Sequence, residues 1–171
     1  MKIESTVAYP APPETVYAML TDQSFQERKC RATEARSHEV SIESRDGRTV
    51  VTTVRQMATE GLDMPSYANV GPTLTVKEIS DWGPASAEGT REGTIQVQLV
   101  GLPLQMNGTL ALTATADGTT ETIDADLKCS IPLLGSKIEQ MASPAIRSAI
   151  DVEERLGHKW LAEQQSGRPG S

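Results

Sequence analysis

The sequence has little of what marks several specialised classes of protein. Only two of its 171 residues are cysteines, Cys30 and Cys129, and they form no Cys-x-x-Cys pair. Neither a disulfide scaffold nor a structural zinc site is therefore predicted. No apolar run approaches the length of a membrane-spanning helix, and the first residues lack the apolar core of a signal peptide. We expect two reduced thiols in a cytoplasmic protein without integral membrane association.

Positive charge is also scarce, which limits the kinds of partner that the protein is expected to bind. Lys and Arg total 16 against 23 Asp and Glu, which gives a net charge of -7. A nucleic-acid-binding domain usually carries a basic face, so no nucleic-acid partner is expected. The length fits one domain, which we assign to residues 1–163. Residues 164–171 are polar and carry Gly and Pro, which predicts a disordered tail.

Motifs that carry chemistry are absent from the sequence as well. It contains no Gly-x-Ser-x-Gly, no Gly-x-Gly-x-x-Gly and no phosphate-binding Gly-Lys-Ser/Thr loop. Its two histidines, His38 and His158, stand alone, without a second histidine at metal-ligand spacing. We therefore predict no metal, no cofactor and no catalytic constellation.

What is present is a clear alternation of two periodicities. Residues 2–9 alternate as a half-buried strand, and two short helical segments follow up to residue 35. After Arg36 the period becomes two, with a hairpin signal at Asp46-Gly47. The clearest strands lie between residues 95 and 131, where inward Leu, Ile, Val and Ala alternate with polar residues. This pattern predicts an antiparallel meander with one apolar face.

A long amphipathic helix closes the chain. Ser136 and Glu139 have the spacing of a capping box, and apolar residues recur at three- and four-residue steps from Ile138 to Trp160. Together with the strands, this helix predicts an α+β fold in which a seven-stranded antiparallel sheet is covered by one helix.

Two local stretches carry a family resemblance. They are Tyr9-Pro10 with residues 13–22 at the start, and residues 131–139, which lead into the last helix. Residues 2 to about 163 resemble the START-like (SRPBCC, polyketide cyclase-like) superfamily, and in particular an uncharacterised actinobacterial family within it. The resemblance implies a helix-grip fold, in which a curved sheet wraps the long helix and leaves a cavity. It implies no catalytic residue.

The inward registers of the strands and the helix face define the expected cavity wall. Small inward residues and the shortage of aromatics favour open space there. We predict that the cavity binds a small hydrophobic molecule such as a lipid, a polyketide or an isoprenoid. The predicted ligand-binding residues are Val97, Leu99, Leu110, Leu112, Ile123, Leu127, Ile138, Met141, Ala142, Ala145 and Ala149.

Two other functions stay open at this point. Glu78 shares the register of Leu74 and Val76, so an unbroken strand would point it into the cavity, where burial would raise its pKa. The protein would then be a cyclase- or dehydratase-type enzyme with Glu78 as its acid, whereas a bulge would turn Glu78 outward. The other alternative is a protein-interaction domain with a filled core.

Overall fold

The computed structural model describes residues 1–61 and 71–167, and it contains seven strands and three helices in that part of the chain. In chain order they are β1 (Lys2–Tyr9), α1 (Pro13–Leu20), α2 (Gln23–Ala32), β2 (Ser37–Arg45), β3 (Arg48–Ala58), β4 (Thr73–Trp82), β5 (Arg91–Val100), β6 (Leu104–Thr115), β7 (Gly118–Cys129) and α3 (Gly135–Ser166).

All seven strands form one antiparallel sheet in the order β1-β7-β6-β5-β4-β3-β2. The sheet curves around α3, which confirms the predicted α+β helix-grip fold with two short helices after the first strand. The hairpin at Asp46-Gly47 is confirmed too: both residues have positive φ, 53° and 76°, as a tight two-residue turn between β2 and β3 requires.

The start of α3 differs from the prediction. The helix begins at Gly135 after Leu134, whose side chain makes no cap, so the capping box of Ser136 and Glu139 does not form. Glu139 instead accepts the backbone N–H of Cys129 at 2.9 Å and pairs with the N-terminal amine at 3.3 Å. Its carboxylate therefore holds the β7–α3 connection to the N-terminus.

The end of α3 also differs from the prediction. The helix continues to Ser166, so residues 164–166 are helical, while residues 168–171 of the expected tail lie outside the described residues. Within the described part of the chain, none of the helices is long and apolar enough to cross a membrane.

The second half of α3 lies directly on β1. A Cβ added at Gly157 would lie 2.5 Å from Cε1 of Tyr9 and 3.0 Å from the methyl of Met19, so only glycine allows this close approach. Tyr9 and Met19 are buried here, and Phe25 of α2 packs edge-on against Trp160 nearby. These contacts close the core under the C-terminal half of α3.

Candidate ligand cavity

A cavity of about 600 Å³ lies between the sheet and α3. Strands β3 to β7 supply one wall, α3 supplies the other, and α2 contributes further residues. Nine of the eleven predicted ligand-binding residues line it: Val97, Leu99, Leu110, Ile123, Ile138, Met141, Ala142, Ala145 and Ala149. The period-2 register of the strands and the helical stripe of α3 are what bring these side chains together.

Leu112 and Leu127 do not line the cavity, which corrects the prediction for these two positions. Both point inward, but they are 0% and 1% exposed and belong to the packed core. Helix α1 packs on β6 and β7, and α3 packs directly on β7, so other side chains fill the space in front of these leucines. A shared register shows which face a residue takes, but not whether that face is covered.

Several further apolar side chains line the cavity. Met57, Met106 and Trp82 take part, and Trp82 is only 2% exposed, with its ring edge-on to Tyr17 at 6.5 Å between centroids. Trp82 is therefore an inner wall residue.

One part of the wall is strongly polar, because buried charges from four elements meet there. The ammonium of Lys29 on α2 lies 2.7 Å from Oε1 of Glu78 on β4 and also contacts Oε2 of Glu153 on α3. Arg55 on β3 lies 3.3 Å from the other oxygen of Glu78 and donates to Thr33 at 3.2 Å. We call Lys29, Arg55, Glu78 and Glu153 the ion cluster; all four residues line the cavity.

Glu78 points into the cavity, but it is not the acid that an isolated inward carboxyl would be. Strand β4 pairs with β3 and β5 on both sides of Glu78 without a bulge. Burial by itself would raise the pKa of Glu78, but the charges of Lys29 and Arg55 outweigh burial and hold that pKa below its ordinary value. The expectation of a raised pKa at Glu78 is therefore wrong, because its cationic partners come from α2 and β3.

The carboxyl with a raised pKa is Glu121, which the sequence analysis missed. It is 3% exposed, lines the cavity, and its Oε2 has no hydrogen-bond partner among the described residues. Burial, reinforced by the charge of Glu153, raises the pKa of Glu121 well above its ordinary value. The signal was present, because Glu121 shares the inward register of Ile123 and Ala125 on β7.

The site can hold an apolar molecule against a wall that also offers polar atoms. Across residues 1–61 and 71–167, no group of His, Cys, Asp and Glu is arranged to hold a metal ion. The most deeply buried charged and acidic groups at the wall are those of the ion cluster and the Glu121 carboxyl.

Residues 4–161 match the model of a family described as "Protein of unknown function (DUF2505)". The chain belongs to this family. A curated relative, the uncharacterized protein Rv0481c of Mycobacterium tuberculosis, is 26% identical over 90 residues, which cover 52% of this chain and 51% of that protein. The match thus spans about half the length of the curated relative. It supports the actinobacterial family inferred from the two local stretches.

Solved structures place this family member in the helix-grip fold. The Zhui aromatase/cyclase from Streptomyces sp. R1128 has a TM-score of 0.67 at 14% identity, covering 100% of this chain and 99% of that one. The di-domain ARO/CYC StfQ of the steffimycin biosynthetic pathway has a TM-score of 0.63 at 14% identity, covering 98% of this chain and 52% of that one. At these identities the likeness is one of fold.

Proposed function

We propose that this DUF2505 protein binds a small hydrophobic ligand, of lipid, polyketide or isoprenoid type, in the cavity between the sheet and α3. The observation that carries the proposal is the cavity itself. Its volume of about 600 Å³ falls within the range of small-molecule sites, and most of its wall is apolar. A filled core would be close-packed, and a space of this size is far larger than the voids that such cores leave.

Two measurements test ligand binding directly. Native mass spectrometry of freshly purified protein is expected to show a hydrophobic adduct that denaturation releases. The uncharged fluorescent probe N-phenyl-1-naphthylamine is expected to bind with enhanced emission at one site per chain. The proposal is contradicted if the purified protein carries no adduct and also fails to enhance the emission of the probe.

A substitution in the cavity wall localises the binding. Ala145 lines the cavity, so Ala145→Leu is expected to fill open space, keep the melting temperature within a few degrees and weaken probe binding. In a filled core the same change would overpack the interior and cost about 1–3 kcal/mol of stability. Ala162→Leu is the matched control, because Ala162 lies on the same helix and is exposed, as Ala145 is, but is not part of the cavity wall. If Ala145→Leu strongly lowers the melting temperature and leaves probe binding unchanged, the cavity is not the site.

A second candidate function is a cyclase- or dehydratase-type enzyme that uses the same cavity. The observation in its favour is Glu121, a buried carboxyl on the cavity wall whose pKa is raised by burial, as a proton-donating carboxyl requires. The two structural neighbours, an aromatase/cyclase and a di-domain ARO/CYC protein, agree with this candidate. Mass spectrometry of a bound ligand before and after incubation tests it. Loss of one water with the parent protein but not with Glu121→Gln would support catalysis, and an unchanged ligand in both would refute it.

A further inference from the structure

The ion cluster is internally balanced in charge. Its two cations, Lys29 and Arg55, face its two anions, Glu78 and Glu153, through contacts that link α2, α3, β3 and β4. All four side chains are at least 87% buried, so solvent screens these charges little. A ligand beside this wall therefore meets positive charges that already have counter-charges.

Two polar atoms on the same cavity wall are left without partners. Oε2 of Glu121 and Nε–H of Arg55 are both buried, and neither has a hydrogen-bond partner within the described part of the chain. The two side chains are only 3% and 5% exposed, so their carbon atoms and polar atoms alike are withdrawn from bulk water. Buried polar atoms are normally hydrogen-bonded, and leaving one unpaired is costly. The Tyr9 hydroxyl, itself buried and without a partner among the described residues, lies beside Glu121 outside the cavity lining. Unpaired atoms on a cavity wall indicate that a further partner is supplied by whatever fills the cavity.

We propose that the ligand is amphipathic and uncharged, and that its hydroxyl or carbonyl oxygen is bound at this polar wall with Glu121 as the principal anchor. This inference rests on the proposed function and specifies the class of ligand for that site. The apolar body lies along the face of α3 between Ile138 and Ile150, a stretch of roughly 18 Å at the helical rise per residue.

The charge balance argues against an anionic ligand. A carboxylate or phosphate would bring an unpaired negative charge next to Glu78 and Glu153, where both cations of the ion cluster are already engaged. The other arginine of the cavity lining, Arg155, is exposed, so water solvates its charge. An un-ionised Glu121 carboxyl, by contrast, can both donate to and accept from an uncharged oxygen. Burial and the charge of Glu153 keep the pKa of Glu121 raised, which supports that protonation state.

Ten-carbon compounds that differ only in the end group test this selectivity. 1-Decanol, decanoate and decylamine are titrated at pH 7 against protein carrying N-phenyl-1-naphthylamine. Direct binding is followed through tryptophan fluorescence in the Trp160→Phe variant, in which Trp82 in the cavity wall is the emitter. We expect decanol to bind roughly tenfold or more tightly than decanoate, the effect of about one hydrogen bond. Equal binding, or tighter binding of decanoate or decylamine, would overturn the inference.

Two conservative variants assign the preference to named atoms. Glu121→Gln keeps the shape and hydrogen-bonding ability of the protonated acid, so it should retain decanol and remove the weakening of decanol binding at alkaline pH. Glu121→Leu should keep the naphthylamine probe but lose about tenfold in decanol affinity. Arg55→Lys keeps a cation for Glu78 and removes Nε–H; a smaller loss of decanol affinity is expected.

The outcomes separate this inference from the proposed function. If the probe and all three ten-carbon compounds fail to bind, both proposals fall. If the probe binds but decanol shows no preference over decanoate, or Glu121→Leu leaves the preference intact, only the polar-anchor inference falls. Correct folding of each variant is checked by its thermal unfolding transition.

Discussion

Removal of the Lys29 ammonium should be among the most destabilising single changes outside the apolar core. Lys29 is 6% exposed and is the only described cation in contact with Glu153, while it also contacts Glu78. Lys29→Met keeps much of the side-chain length but leaves Glu153 buried without a counter-charge. Breaking a buried pair in this way typically costs about 3–5 kcal/mol. For a chain of this size, that corresponds to a fall in melting temperature of roughly 6–20 °C.

The loss of stability expected for Lys29→Met depends on pH, and this dependence identifies its electrostatic cause. A carboxylate that is buried without its counter-charge can be relieved by taking up a proton, so the deficit relative to the parent protein should shrink as the pH falls toward the ordinary carboxyl value. Urea unfolding of both proteins between pH 4 and pH 8 measures this change, with the range chosen around ordinary carboxyl values. A simple loss of packing would give a deficit that is independent of pH.

Two further variants complete this test. Arg31→Met is the matched control on the same helix, because Arg31 is exposed and its one ion pair with a described residue is to Glu27 at 3.9 Å. A change below about 0.5 kcal/mol is expected. Lys29→Met combined with Glu153→Gln leaves the Arg55–Glu78 pair balanced and should recover most of the lost stability. The reasoning is refuted if Lys29→Met lies within about 1 kcal/mol of the parent or if the double variant is no more stable than the single one.

Three other predictions concern buried groups. Glu121→Gln should raise the melting temperature, because the raised pKa of folded Glu121 costs stability at pH values above the ordinary carboxyl value. This gain should grow as the pH rises from the ordinary value toward the raised pKa. Thermal scans measure the gain, with exposed Glu92→Gln as the control, and equal behaviour of the two variants would contradict the prediction. Gly108→Ala should lower the free energy of unfolding by about 3 kcal/mol, since a Cβ there overlaps the carbonyl oxygen of Asp124. Urea unfolding measures this loss, with outward-facing Asn107→Ala as the control. An equally small loss in both variants would contradict the prediction. Thiol titration in denaturant should count two free thiols. In the native protein, Cys30 should react far more slowly than Cys129, because Cys30 is 1% exposed and burial raises its pKa. Equal reaction rates in the native protein would contradict the buried position of Cys30.

The apolar part of the cavity was predictable because it depends on local periodicity. Alternation along β5, β6 and β7 assigns each side chain to a face, and the antiparallel register then aligns residues such as Val97 and Met106 across strands. The same rule places Glu121 inside, two residues before Ile123, although Glu121 is not among the predicted cavity residues. The error at Leu112 and Leu127 has another origin, since it depends on where α1 and α3 pack.

The polar wall was far less predictable, because burial of a charge depends on partners that are distant in sequence. Lys29 follows buried Phe25 by four residues, which is one helical turn, so it lies on the inner face of α2. What keeps a lysine on that inner face is contact with Glu78 and Glu153, which lie 49 and 124 positions further along the chain. Hydropathy alone predicts that a lysine side chain is exposed to solvent.

The presence of this costly wall is itself an argument about function. Buried ion pairs are weak contributors to stability, and well-packed apolar residues of similar volume often do as well or better. A cavity that bound only hydrocarbon would need neither Arg55 nor Glu121. Each of these side chains has one buried polar atom without a hydrogen-bond partner among the described residues. The fold retains them beside the apolar lining of α3, where a ligand with one oxygen-bearing end and one hydrocarbon end could contact both surfaces at once. Selection among hydrophobic ligands, rather than added stability, is the role that this arrangement of charges can perform.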